Sequence, residues 1–261
     1  MTLPELALPA VSLPEVLGGW ALQNREDRKY LLPIEVIFSL MGGRQADYSV
    51  LEIGGRRSFG YHTHYFDTPD LLTYRDHAQG VRRRFKVRIR RYLDSDLTRL
   101  EVKSKGVRSR TVKHALDGAD RLDAAAQQFL RQSLDSAYGP DYRPEVVPTL
   151  RPGLAMKYQR TTLISTAGER VTVDTDLRIY HADLQAELHP DLALLEVKSA
   201  GSRSDTDRDL VMIGHRPLSF SKYVAGVELT TGRPRRHRPG LLRTRFSVRP
   251  LEREQPQALS A

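Results

Sequence analysis

The sequence contains no cysteine. That excludes disulfides, thiolate metal sites and a cysteine nucleophile, and it fits a reducing compartment. It also lacks an apolar run long enough to cross a bilayer as a helix. The opening residues, MTLPELALPAVSLPEVLGG, carry no basic start and are broken by proline, so they do not read as a secretory signal. A cytoplasmic location without a transmembrane segment is expected. No glycine-rich phosphate loop of the G-x-x-x-x-G-K-[ST] kind is present. Aromatic residues are 7% of the chain, and few of them interleave with its basic strands, so base-stacking recognition of nucleic acid is not suggested.

What the chain does have is positive charge. Of 261 residues, 28% are charged and 39% hydrophobic, with a formal net charge of +9. The partners expected of such a chain are anionic. From Gly232 onward there are eight arginines against two glutamates, so the body of the chain is only mildly basic. Three regions are expected: an N-terminal arm over 1–23, one folded domain over 24–231 and a flexible basic tail over 232–261.

Strand-like segments dominate the middle. YHTHYFD (61–67), VRRRFKVRIRRYL (81–93), LTRLEVKS (97–104) and TVKHAL (111–116) precede a helical stretch over 120–134. Strand candidates return over 155–165, 170–180 and 193–199, followed by a helix over 205–213 and a short strand region over 220–230. Pro33 suits the first turn of a helix ending at Gly42 and Gly43.

Successive side chains on a strand point to opposite faces. In 81–93 that puts Arg82, Arg84, Lys86, Arg88 and Arg90 on one face and Phe85, Val87 and Ile89 on the other. The motif LEVKS occurs twice and pairs Glu101 with Lys103, and Glu196 with Lys198. In VTVDTDL the same alternation groups Thr172, Asp174 and Asp176. A single such strand reads as a solvated sheet face. Repetition over several strands reads instead as a barrel whose charged faces line the lumen and whose apolar faces meet helices outside. Crowded cations in a poorly solvated space require a bound polyanion, and carboxylates among them point to a divalent metal.

The segments RKY, YFDTPDLLTYRDH, FKVRIRRY, LEVKSKG, MKYQRT, VDTDL, the second LEVK and FSKYVAGVELT follow one another in an order that resembles the VTC domain. That domain is the catalytic module of the vacuolar transporter chaperone polyphosphate polymerases, in the triphosphate tunnel metalloenzyme superfamily. The likeness covers most of the chain, from about Arg28 to Thr230. It implies an α+β fold: an antiparallel β-barrel tunnel with helices packed outside. It further implies transfer of the ATP γ-phosphate to a growing inorganic polyphosphate chain, with Mn²⁺ or Mg²⁺ as cofactor. By resemblance, Lys29, Arg88, Arg90, Lys103, Arg160, Lys198 and Lys222 are the catalytic basic groups. Arg84, Lys86 and Lys113 are further phosphate contacts, and Glu196 holds the metal. Glu101, Asp174 and Asp176 are weaker candidates. The first strand, NREDRKY, lacks the ExExK signature of the CYTH branch. This sequence shows neither an SPX sensor nor membrane helices, so inositol-phosphate regulation and coupled translocation are not expected.

Two alternatives stay open. The same cations and metal would serve a hydrolase of tripolyphosphate or nucleoside triphosphates, or a polyanion-binding module without catalysis. An additional protein partner is compatible with either. His62 and His64 lie two apart without a third ligand at metal spacing, so they read as packed residues near the barrel rim. Asp205 and Asp207 read as helix N-terminal acids rather than a metal loop.

Overall fold

The computed structural model describes residues 7–18, 25–105, 111–200, 204–232 and 242–251. Its frame is a mostly antiparallel 12-stranded sheet. In chain order the elements are β1 (Ala10–Val11), α1 (Leu13–Gly18), β2 (Arg25–Pro33), α2 (Ile34–Gly42), β3 (Tyr48–Leu51), β4 (Phe59–Asp67), α3 (Leu72–Ala78), β5 (Arg84–Tyr92) and β6 (Thr98–Lys105). There follow β7 (Thr111–Asp117), α4 (Ala124–Tyr138), β8 (Arg151–Ser165), β9 (Arg170–His181), β10 (Leu184–Leu188), β11 (Leu192–Ala200), α5 (Asp205–Met212), α6 (Lys222–Thr231) and β12 (Phe246–Pro250).

The wall that matters runs β2-β11-β9-β8-β4-β5-β6-β7, with β10 and β12 continuing from β9 and β3 and β1 branching from β8. Strands β2 and β7 end this wall without pairing to each other, so the sheet curls without closing its hydrogen-bond ladder. Its outer faces are apolar where helices cover them. Phe85, Val87, Leu100 and Val102 pack with Leu130 and Leu134 of α4. Tyr30, Leu195 and Val197 pack with Ile37 and Met41 of α2 and Leu210 of α5. Helix α5 starts with a capping box between Ser204 and Asp207. The buried Asp207 accepts from Tyr30 Oη at 2.7 Å and from Arg28 Nη1 at 2.8 Å, which ties that helix to β2. The acids at 205 and 207 thus stand in the first turn of a helix, as expected, with Asp207 completing its cap.

A bulge divides the inner surface. Between Lys157/Gln159 of β8 and Thr175/Arg178 of β9 the register shifts. The extra residue is Asp176, at φ +51° and exposed. Strict alternation would have put Asp176 beside Asp174; the bulge turns it out and brings Leu177 and Ile179 inward. They join Leu154, Met156, Leu31 and Leu194 in a core built around α6. Asp176 therefore leaves the candidate site.

Helix α6 corrects another expectation. Residues 220–230 read as a strand because they are rich in aromatic and β-branched side chains. They form a helix that starts at Ser221, whose side chain accepts from Val224 N, and ends at Gly232 with φ +64°. Six successive residues, Tyr223 to Glu228, are buried, so the helix is surrounded rather than amphipathic. Tertiary burial overrides local propensity here. A Cβ on Gly226 would lie 2.6 Å from Leu154 Cδ1 and 2.9 Å from Ile179 Cγ2. Gly226→Ala is expected to cost about 1–3 kcal/mol through overpacking. A thermal melt checks this: an unchanged midpoint would mean that the helix is free to shift outward.

The ends of the chain also differ from expectation. Within the arm, β1 pairs in parallel with β3 and Leu8 is buried. Within the tail, β12 pairs with β10, and Leu242 and Phe246 enter the core around α6. The remaining arginine-rich part, 233–241, lies outside the described residues. No helix among the described residues is long and apolar enough to cross a membrane.

Candidate active site

The inner face of β5 carries Arg84, Lys86, Arg88 and Arg90; Arg82 precedes the strand and is exposed. Strand pairing turns this ladder into rows. Lys86, Lys103 and Lys113 stand opposite one another across β5, β6 and β7. Like charges directly opposite are unfavourable unless something anionic lies between them. Burial and the neighbouring Lys29, Lys103 and arginines push the Lys86 ammonium well below its ordinary pKa. Lys103 is also lowered by burial, and it feels Asp27, Lys29 and Glu196 of β2 and β11. The two walls thus face each other across a narrow lumen.

Two buried carboxylates, Glu101 and Asp174, and one half-buried one, Glu196, organise the cations. Glu101 contacts Arg88, Arg90 and Lys113 at once. The motif sets it near Lys103 in sequence, but in space its carboxylate grips the two arginines and the edge lysine. Asp174 takes Arg160 in a fork, at 2.5 Å to Nε and 2.8 Å to Nη2, and also contacts Lys222. Glu196 stands opposite Lys29 in the β11–β2 register and 3.0 Å from Lys198. Burial raises all three carboxyls, but the cations outweigh it and hold each below its ordinary range, Asp174 at about 2. Lys198 is brought down to about 8 by burial, against the pull of Glu196.

A segment lies across this lumen. Lys29 Nζ donates to the Phe220 carbonyl at 3.1 Å and Lys86 Nζ donates to Ser221 Oγ at 2.7 Å. Lys222 sits 4.0 Å from the centre of the Tyr158 ring. Residues 220–222 therefore touch β2, β5 and β8 together, and the ionic half of the lumen ends against the start of α6. The segment is held from behind by Tyr223, which donates to Asp67. Asp67 also accepts Thr73 N at 2.8 Å and Tyr74 N at 2.9 Å at the start of α3.

Of the ten basic groups expected of the site, nine, Lys29, Lys86, Arg88, Arg90, Lys103, Lys113, Arg160, Lys198 and Lys222, line one lumen. Arg84 lies at the entrance of β5, where Nη1 donates to the Val81 carbonyl. His62 and His64 are on the opposite, outer face of β4.

Sequence reading missed the aromatic part of the lumen. Tyr61 and Tyr158 stack at 5.2 Å, and Arg160 lies over both, at 5.3 and 5.4 Å. Burial opposes ionisation of Tyr158, but Arg90, Lys222 and Arg160 bring its hydroxyl down to about 8. The available signal was spacing: Tyr158 is two residues before Arg160, hence on the same strand face. Ser221, next to Lys222, was also overlooked.

Among the described residues no three acidic or histidine side chains converge as a metal cage. Glu101 and Asp174 each hold two or more cations, whereas Glu196 has one ion pair among the described residues, to Lys198, and is the carboxylate most open to a metal. With Lys198 and Lys29 beside it, a bare divalent cation gains little there. A cation that arrives coordinated to polyphosphate oxygens fits, since Mg²⁺-like ions are commonly held by one or two carboxylates plus substrate phosphates.

The PH1819 protein from Pyrococcus horikoshii OT3 is similar in structure at 11% identity and TM-score 0.46, over 80% of this chain and 99% of that one. HpAC1 from Hippeastrum, described as having a dominant triphosphatase activity, gives 14% identity and TM-score 0.43 over 82% and 97%. The inorganic triphosphatase NE1496 gives 13% and 0.27 over 76% and 85%. No curated protein sequence matches. The family model of the VTC domain matches residues 24–231, most of the chain and all of the lumen described above. The chain belongs to the VTC domain family.

Proposed function

We propose that the protein is a metal-dependent phosphoryl-transfer enzyme acting on a triphosphate in the lumen. In its specific form it transfers the ATP γ-phosphate to the end of an inorganic polyphosphate chain. One observation carries the choice of acceptor. Glu101, Asp174 and Glu196 are each ion-paired and held below their ordinary range, so none of these three is a base near neutral pH. A terminal phosphate needs no such base, because its attacking oxygen is already ionised. It would bond to the γ-phosphorus while the bond to the bridging oxygen breaks and ADP leaves.

The work left to the protein is positioning and charge neutralisation. Arg88, Arg90 and Arg160 offer planar forks to phosphate oxygens, while Lys29, Lys86, Lys103, Lys113, Lys198 and Lys222 act as point charges. Mn²⁺ or Mg²⁺, held at Glu196 and the phosphates, would draw charge from the reacting oxygens. A hydrolase reading has its own support in residues 220–222, which shorten the lumen and leave less room for a long product.

The test is incubation with ATP and Mn²⁺, with products resolved on a gel stained for polyphosphate. A ladder of chains, lost in Glu196→Gln, is expected. Phosphate and ADP without polymer would replace this reading with hydrolysis. Neither product across several metals would leave a binding role.

A further inference from the structure

The wall has a second row of cations, on its outside. Arg91 of β5 stands opposite His62 of β4, His62 opposite Lys157 of β8, Lys157 opposite Arg178 of β9, and Arg178 opposite Glu187 of β10. Adjacent strands are about 4.8 Å apart, so Arg91 to Arg178 is a straight track of roughly 14 Å. Arg91, Lys157 and Arg178 are exposed and His62 is half-buried. Arg178 is partly answered by Glu187, at 2.8 Å. Arg91 and Lys157 have no ion-pair partner among the described residues. Two residues further along β4, His64 brings a second imidazole to the same face, its ring centre 4.4 Å from that of His62.

Two imidazoles so close suggest a metal, but the surroundings argue otherwise. The charged groups facing them are Arg91 from β5 and Lys157 from β8, and both oppose a cation. An anion removes the repulsion that the row otherwise carries. A compact anion would meet two of these groups, whereas a linear one laid across the strands meets all of them. Tyr180 on the same face is half-buried, and no exposed aromatic platform is present among the described residues of this face, which disfavours stacked bases.

We propose that this outer row is a second anion site, distinct from the lumen, that binds linear inorganic polyphosphate across the strands from Arg91 to Arg178. The choice of polyphosphate rests on the proposed function; the demand for a linear oxyanion rests on the row alone. Burial, His64, Lys157 and Arg91 hold His62 at about 4, so both rings are neutral in the free protein at neutral pH. A bound polyanion reverses the sign of the local field and draws protons onto the rings. Affinity therefore rises as pH falls below neutral toward the free value of His62, about 4.

The experiment follows the ring resonances of His62 and His64 by NMR in the full chain, with the lumen first saturated by tripolyphosphate. Long-chain polyphosphate is expected to move both rings toward their protonated positions. The double variant Arg91→Gln/Lys157→Gln, both surface positions, is expected to weaken this binding about tenfold or more. Its triphosphate turnover should match that of the parent, which separates failure of this site from failure of the lumen reading. Rings unmoved at saturating polyphosphate would overturn the proposal, as would unweakened binding by the double variant. A stronger response to Zn²⁺ would replace the anion site by a metal site. Equal competition from single-stranded DNA at matched charge would replace polyphosphate by nucleic acid.

Discussion

Glu101→Gln is expected to lower the stability of the free protein by about 3 kcal/mol at neutral pH, the scale for removing one partner of a buried ion pair. Glu101 is 1% exposed and is shared by Arg88, Arg90 and Lys113, so the variant leaves three cations facing one another. The deficit should shrink as pH falls. A carboxyl whose folded pKa is depressed adds stability that is fully present above its unfolded value, and that is lost as pH falls through the folded value. Glu101 is held well below 4.5, so the parent loses its advantage from about pH 4.5 downward, approaching a variant that already carries a neutral amide. Tripolyphosphate should act in the opposite sense. It supplies the missing negative charge, so the gain in melting temperature on adding it should be larger for Glu101→Gln than for the parent. Equal gains would show that Glu101 supports the fold without competing for the cations that bind phosphate.

Arg160→Lys is expected to lower kcat/KM by about a hundredfold while keeping the charge, a loss on the scale of one preorganised donor to a transition-state oxyanion. Arg160 uses Nε and Nη2 on Asp174, which leaves the Nη1 edge directed elsewhere. Its guanidinium also lies 5.3 and 5.4 Å from the ring centres of Tyr61 and Tyr158. A lysine cannot hold a carboxylate by a fork, stack on two rings and still present a donor to substrate. Turnover with ATP and Mn²⁺, read beside a thermal melt, decides the point. Activity within threefold of the parent would place Arg160 outside the reacting end of the lumen.

The alternation of charge along 84–90, and the two LEVKS segments, were sufficient to infer a cation-lined barrel, because period-two patterning specifies which face each residue takes. The expected lumen groups on strands share the inner wall for that reason, while Lys222 reaches it from the start of α6. Alternation fails wherever the ladder gains a residue. Asp176 follows the pattern in sequence and leaves it in space, since a bulge at a non-glycine residue has no local signature. Helix α6 was illegible for another reason: Val224, Val227, Thr230 and Thr231 favour a strand, and no amphipathic stripe marks a helix that is buried all round. Short strands β10 and β12 are fixed by each other and by β9, not by their own composition.

The bulge at Asp176 also acts as a movable partition. On one side of it β9 offers Thr172 and Asp174 to ions; on the other it offers Leu177 and Ile179 to α6. Shifting that single inserted residue two places along the strand would convert one ionic position into an apolar one, or the reverse, without altering the sheet's outline. The depth of the ionic half of the lumen, before it meets α6, thus depends on where one residue is added to β9.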